Sequence, residues 1–147
     1  MAENRNPEIS PEIRWAVEAA QDKKAEHLTV LDMRGMSAFS EFFLICSGQS
    51  HPQLEAIRDA IEERLDRAGV HIRHAEGRAG SEWVLLDYGS FVVHIFSERA
   101  RLYYDLERLW RAAARIDIAE IDKHASESSE AGPSDDAGAG AAEASQR

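Results

Sequence analysis

Apolar residues first recur at helical spacing in Ile13, Ala16, Val17 and Ala20, directly after Ser10-Pro11-Glu12. Serine at an N-cap, proline at the first helical position and an acid in the first turn all favour helix initiation there. A first helix over 11–23 is predicted. Leu28-Thr29-Val30-Leu31 and Phe42-Phe43-Leu44-Ile45-Cys46 are apolar runs bounded by turn formers. They are too brief for helices and rich in β-formers, which predicts strands buried on both faces. Ser50-His51-Pro52-Gln53 has the form of a capping box, with Ser50 as N-cap and Gln53 reaching back. Leu54, Ile57, Ile61 and Leu65 follow on one helical face, and Gly69 supplies a left-handed stop. Beyond it come an edge-like segment over 71–76, a Gly-rich loop over 77–81 and a hairpin. The hairpin arms are 83–87 and 91–96, joined across Tyr88-Gly89-Ser90. Ser97 then caps a last helix, with Leu102, Leu106 and Leu109 on one stripe and Tyr103 and Trp110 beside it. The order α-β-β-α-β-β-β-α predicts an α/β fold, a mixed sheet of about five strands flanked by helices.

At 147 residues, 44% hydrophobic and 30% charged, the chain suits one domain with a real core. No apolar run approaches the roughly 18 residues of a membrane span, and residues 1–10 lack the apolar stretch of a secretory signal. The single Cys46 excludes an internal disulfide and fits a reducing cytoplasm. Charge is more informative: 17 Lys+Arg stand against 27 Asp+Glu, a net of -10. That balance argues against a primary nucleic-acid binder, because such binding runs on neutralised phosphates. From 125 to 147 there are five acids and one base and no Ile, Leu, Val or aromatic residue. The expected organisation is a flexible 1–8, a folded domain over 9–118, and a disordered acidic Ala/Gly/Ser tail over 119–147.

Reactive chemistry is sparse along the chain. Cys46 lies inside an apolar strand, where a structural thiol is expected. His71 and His74, three apart, point to opposite faces of an extended segment, and no H-x-x-x-H or C-x-x-C pair exists. Ser47-Gly48-Gln49-Ser50 ends a strand and opens a helix, where backbone N–H groups could meet an anion. It is neither a P-loop nor a G-x-G-x-x-G turn, and no carboxylate pair on the strands accompanies it to hold magnesium. Turn chemistry explains its glycine and serines without a ligand. No metal, no cofactor and no catalytic residue is expected.

Along 83–87, alternation places Trp83, Leu85 and Asp87 on one face and Val84 and Leu86 on the other. Two readings stand. Either both faces are buried and Trp83 is core, or its face is open and a Trp and a Leu beside an acid form a docking patch. Alternation alone favours core.

An ordered series of motifs then bears on the choice: Phe43-Leu44-Ile45-Cys46-Ser47-Gly48, Glu76-Gly77, Trp83-Val84-Leu85-Leu86-Asp87-Tyr88-Gly89, Val92-Val93-His94-Ile95-Phe96 and Tyr104-Asp105-Leu106-Glu107-Arg108-Leu109-Trp110. Over about residues 9–110 the chain resembles the ribosomal silencing factor (RsfS, Iojap-related) family. The resemblance implies a nucleotidyltransferase-like fold without catalytic carboxylates. It implies a non-enzymatic cytoplasmic repressor that binds the large ribosomal subunit through its ribosomal protein fourteen. Such a protein blocks joining of the small subunit when nutrients run short. A role in large-subunit assembly and a homodimer in isolation are also implied, with little direct nucleic-acid binding and no membrane. A nucleotide binder using Ser47-Gly48 is the alternative from the residues. Carried over by motif, the docking positions are Glu76, Trp83, Leu85, Asp87, Tyr88 and His94, which reverses the preference for Trp83 as core.

Overall fold

The computed structural model describes residues 9–118 and Ile121. Its elements are α1 (Pro11–Asp22), β1 (Glu26–Asp32), β2 (Phe42–Gly48), α2 (His51–Arg67), β3 (His74–Glu76), β4 (Trp83–Asp87), β5 (Phe91–Ser97), α3 (Glu98–Tyr104), α4 (Leu106–Leu109) and β6 (Ala114–Ile116). One mixed sheet runs in the order β3-β4-β5-β2-β1-β6. Among the described residues only β2 and β5 pair in parallel, from Phe42 opposite Phe91 to Gly48 opposite Ser97, and the other pairings are antiparallel.

The predicted mixed sheet is present with six strands instead of about five. The additional strand, β6, pairs with β1 at the sheet edge, Val30 opposite Ile116. Ala-Arg-Ile has neither the length nor the alternation of a recognisable strand, so its pairing comes from where the preceding helices deliver it. Ile121 is buried in the core and its N–H meets the Asp117 carbonyl. The segment 1–8 and the tail from 119 on, Ile121 apart, lie outside the described residues.

Strand alternation divides the sheet into two faces. The first receives Val30, Phe42, Leu44, Cys46, Val84, Leu86, Phe91, Val93 and Ile95, and packs on α1 and α2. Both helices present the stripes that the pattern predicts: Ile13, Ala16, Val17 and Ala20 from α1, and Leu54, Ile57, Ile61 and Leu65 from α2. The Ser50 hydroxyl accepts from the Gln53 N–H. The Gln53 side chain reaches back one residue further than a capping box requires, accepting from the Gln49 N–H at 2.7 Å. Its amide nitrogen donates to the carbonyls of Lys23 and Lys24 just past α1, so one side chain links the two helix ends.

The second face receives Leu31, Ile45, Phe96, Phe43 and Trp83 and is partly covered by Ala100, Leu106, Trp110 and Ala113. Here the single last helix of the sequence reading is corrected. Asp105 adopts φ +50 and separates α3 from α4, which rotates everything after it. Leu106 and Trp110 therefore turn onto the sheet, while Leu102 (81% exposed), Tyr103 (79%) and Leu109 (68%) turn to solvent. A stripe drawn through Leu102, Leu106 and Leu109 assumes one continuous register. A left-handed residue breaks that assumption, and aspartate is among the few non-glycine types that tolerate it.

Arg101 fastens this segment. Its guanidinium donates to the Ser47 hydroxyl on β2 (2.9 Å), to Thr29 on β1 (3.2 Å) and to both carboxylate oxygens of Glu107 (3.1 and 2.7 Å). The Glu107 carboxyl is held below its usual range, first by that hydrogen bond.

Gly77 controls the approach of the β3 edge to β4. It has φ +98, and a Cβ there would stand 2.6 Å from the Trp83 carbonyl oxygen. Its own carbonyl accepts from Arg58 of α2 at 2.8 Å. Gly77→Ala is expected to lower the unfolding free energy by about 2 kcal/mol or more, read as an earlier urea midpoint. An unchanged midpoint would show that the loop relaxes freely.

Candidate docking surface

Cross-strand register assembles the surface. Glu76 lies opposite Leu85, Leu85 opposite His94, and His94 opposite Ile45, so these side chains share one lateral row. Asp87 lies opposite Val92, and Trp83 opposite Phe96, on the same face. Five of the six positions expected from the motifs, Glu76, Trp83, Leu85, Asp87 and His94, are thus brought to the second face of the sheet. Tyr88 is not. It is buried, stacks on Phe91 at 5.1 Å and packs in the first core towards α2. Burial pushes its hydroxyl up to about 12, with Glu62 and Asp66 adding to the shift.

Trp83 is half-buried, which lies between the two readings of the strand pattern. Its ring sits 5.0 Å from Phe96 and 4.6 Å from Tyr104 of α3. Its indole N–H donates to His94 Nδ1 at 3.2 Å. Indole nitrogen is a donor only, so His94 Nδ1 must accept and the imidazole carries its proton on Nε2. Burial lowers the His94 pKa to about 4, which keeps that ring neutral. Nε2 has no hydrogen-bond partner among the described residues, and the ring is held edge-on to Phe43 at 4.7 Å. His94 is 4% exposed. Its effect on the surface therefore runs through the orientation of Trp83.

The acids differ in freedom. Glu76 is exposed beside His74, with which it pairs. Asp87 is half-buried and accepts from the Gly89 N–H at 2.8 Å, so one oxygen serves the hairpin turn. Leu85 lies half-buried between them. The surface is an apolar strip of Trp83 and Leu85 flanked by two carboxylates. Nearby, α3 adds an exposed apolar patch that the helical-stripe reading placed in the core.

The strand-to-helix turn after β2 uses its polar groups internally. Ser47 accepts from Arg101, Gln49 N–H meets Gln53, and the Ser50 hydroxyl caps α2. A Cβ at Gly48 would stand 2.8 Å from Leu54, so helix packing accounts for the glycine. Cys46 is fully buried, and burial pushes its thiol up to about 12. On the rim, Glu26, His27 and Glu98 place ligand-type atoms within 4.8 Å of one another. The Glu98 carboxyl is raised, first through a hydrogen bond with Glu26. Among the described residues, no helix is long and apolar enough to cross a membrane.

The profile described as "Ribosomal silencing factor during starvation" matches residues 6–144. The chain belongs to the ribosomal silencing factor family. It is 41% identical over 106 residues to the ribosomal silencing factor RsfS of Halalkalibacterium halodurans, covering 72% of this chain and 91% of that one. The RsfS of Bacillus subtilis is likewise 41% identical over 106 residues, covering 72% of this chain and 90% of its own. A crystal structure of a Chromobacterium violaceum protein superposes with a TM-score of 0.67 at 35% identity, covering 71% of this chain and 87% of that one. One from Bacillus halodurans gives 0.64 at 40% identity, covering 71% and 95%. The matched structures and relatives agree with the mixed α/β architecture and with the family resemblance of the motifs.

The buried neutral His94 has a pH signature. Its folded pKa of about 4 lies below the ordinary 6.5, so the unfolded chain takes up the proton first as pH falls. Its contribution to stability is complete above pH 6.5 and is lost progressively down to about 4, amounting to about 3 kcal/mol. Urea unfolding across that window is expected to show this slope in the natural chain and a flatter one in His94→Gln. Equal slopes would mean that His94 titrates normally.

Proposed function

We propose that this protein is a non-enzymatic cytoplasmic regulator of translation. It docks by the Trp83 face on ribosomal protein fourteen of the large subunit and so sterically prevents the small subunit from joining. The observation that carries the reading is the convergence of Glu76, Trp83, Leu85 and Asp87 on one face of a rigid sheet. Half-buried Trp83 and Leu85 offer apolar anchorage with little ordering cost, because the strand already holds them. Glu76 and Asp87 complement basic side chains, as expected of a ribosomal-protein partner. Family membership supports the ribosomal setting, and the relatives carry the name of silencing factors.

Steric exclusion asks little of the protein beyond affinity and bulk. Nothing has to be cleaved or transferred, and a rigid face suits the task better than a mobile loop. The alternative use of the Ser47–Ser50 turn for a nucleotide would compete with internal bonds that its polar groups already make.

Trp83→Ala is expected to weaken binding to purified ribosomal protein fourteen by about 2 kcal/mol or more, roughly thirtyfold, measured by calorimetry. Loss of the indole also strips His94 of its donor. Glu76→Lys, at an exposed position, tests the surface without that structural cost, and a several-fold loss is expected. In a subunit-joining assay both variants should fail to inhibit. Normal affinity in both folded variants would overturn the docking reading.

A further inference from the structure

Resting on that reading, we infer that the α3–α4 corner is a second contact surface, one for single-stranded or looped RNA bordering the docked ribosomal protein. Leu102, Tyr103 and Leu109 face outward on either side of Asp105, and with Tyr104, Asp105, Arg108 and Arg111 they line a shallow cleft of about 510 Å³. Arg108 and Arg111 are exposed and pair with no carboxylate among the described residues. The neighbouring Arg99 and Arg101 are taken up by Glu82 and Glu107.

Tyr103 and Tyr104 stand edge-to-face at 5.0 Å, and both rings are open to solvent. Open aromatic rings beside unpaired arginines are the elements of a single-strand contact, in which bases stack on the rings and guanidinium groups meet phosphates. The apolar leucines would also suit a protein. Two features favour RNA. The cations have no carboxylate partner among the described residues, in a chain of net charge -10. The cleft is also continuous with the docking face, Tyr104 lying 4.6 Å from Trp83, so docking on a ribosomal protein would bring it against the RNA around that protein. The remaining acidity keeps RNA off the rest of the surface and restricts contact to this corner.

The test is the full chain carrying Arg108→Gln and Arg111→Gln together, both at exposed positions, cosedimented with isolated large subunits over a salt series. Binding is expected to weaken roughly tenfold, and the slope of log affinity against log salt to shrink by about 1.4, as for two phosphates of a single strand. Affinity for purified ribosomal protein fourteen alone is expected to be unchanged. Tyr103→Ala should weaken subunit binding while leaving the salt slope in place. An unaltered affinity and slope on subunits overturns the inference. So does an equal loss on the isolated ribosomal protein, which would make the corner a protein contact. A sedimentation shift from dimer to monomer in the double variant overturns it in favour of a second copy. Failure of the docking reading is separate, since it shows as normal binding of Glu76→Lys and Trp83→Ala to the isolated protein.

Discussion

The parallel pairing of β2 with β5 is the constraint on which the rest of the molecule depends. These strands occupy the middle of the sheet, and their side chains are nearly all buried on both faces. A one-residue slip would exchange the inward set Phe91, Val93 and Ile95 with Val92, His94 and Phe96, putting an imidazole where α1 and α2 pack. Register is therefore pinned by burial on two sides. Because β4 takes its register from β5, the same constraint decides which hairpin residues face outward. Trp83, Leu85 and Asp87 are presented together as a consequence of how the core is filled.

The second face is built on a compromise between packing and exposure. Half of it is closed by Leu106 and Trp110 and clamped by Arg101 onto Ser47, Thr29 and Glu107. The other half is left open around Leu85. Closing only half requires the chain to change direction between α3 and α4, which Asp105 does by entering the left-handed region. The cost of that conformation is offset by burying Leu106 and Trp110, and its by-product is the exposed Leu102–Tyr103–Leu109 corner. Buried His94 adds to the rigidity of the open half, since its one available acceptor holds the indole of Trp83.

Net charge carries less than it first suggests and also more. As a total, -10 points away from nucleic acid. Distributed over the fold, the acids near the Trp83 face include an exposed Glu76, whereas Arg108 and Arg111 at the α3–α4 corner pair with no carboxylate among the described residues. A total averages over surfaces of different local charge. Only placement separates them.

Much of this was legible from the chain. The capping signals at Ser10-Pro11, Ser50 and Ser97, the stripes of α1 and α2, and the alternation of the hairpin arms are local. Spacing alone determines them because they depend on helical and strand periods. The family resemblance was legible too, but through the identity of the motif residues and not through their spacing. What the sequence could not determine depended on neighbours distant along the chain. β6 is a strand because β1 offers it an edge. The last helix is two helices because Leu106 and Trp110 have a sheet to bury against. Trp83 is neither core nor free because Phe96, His94 and Tyr104 reach it from two other elements. Tyr88 belongs to the opposite side because the hairpin end turns it onto α2. Local spacing sets which face a residue occupies. Tertiary packing decides whether that face is covered, and that decision separates a core tryptophan from a half-exposed one.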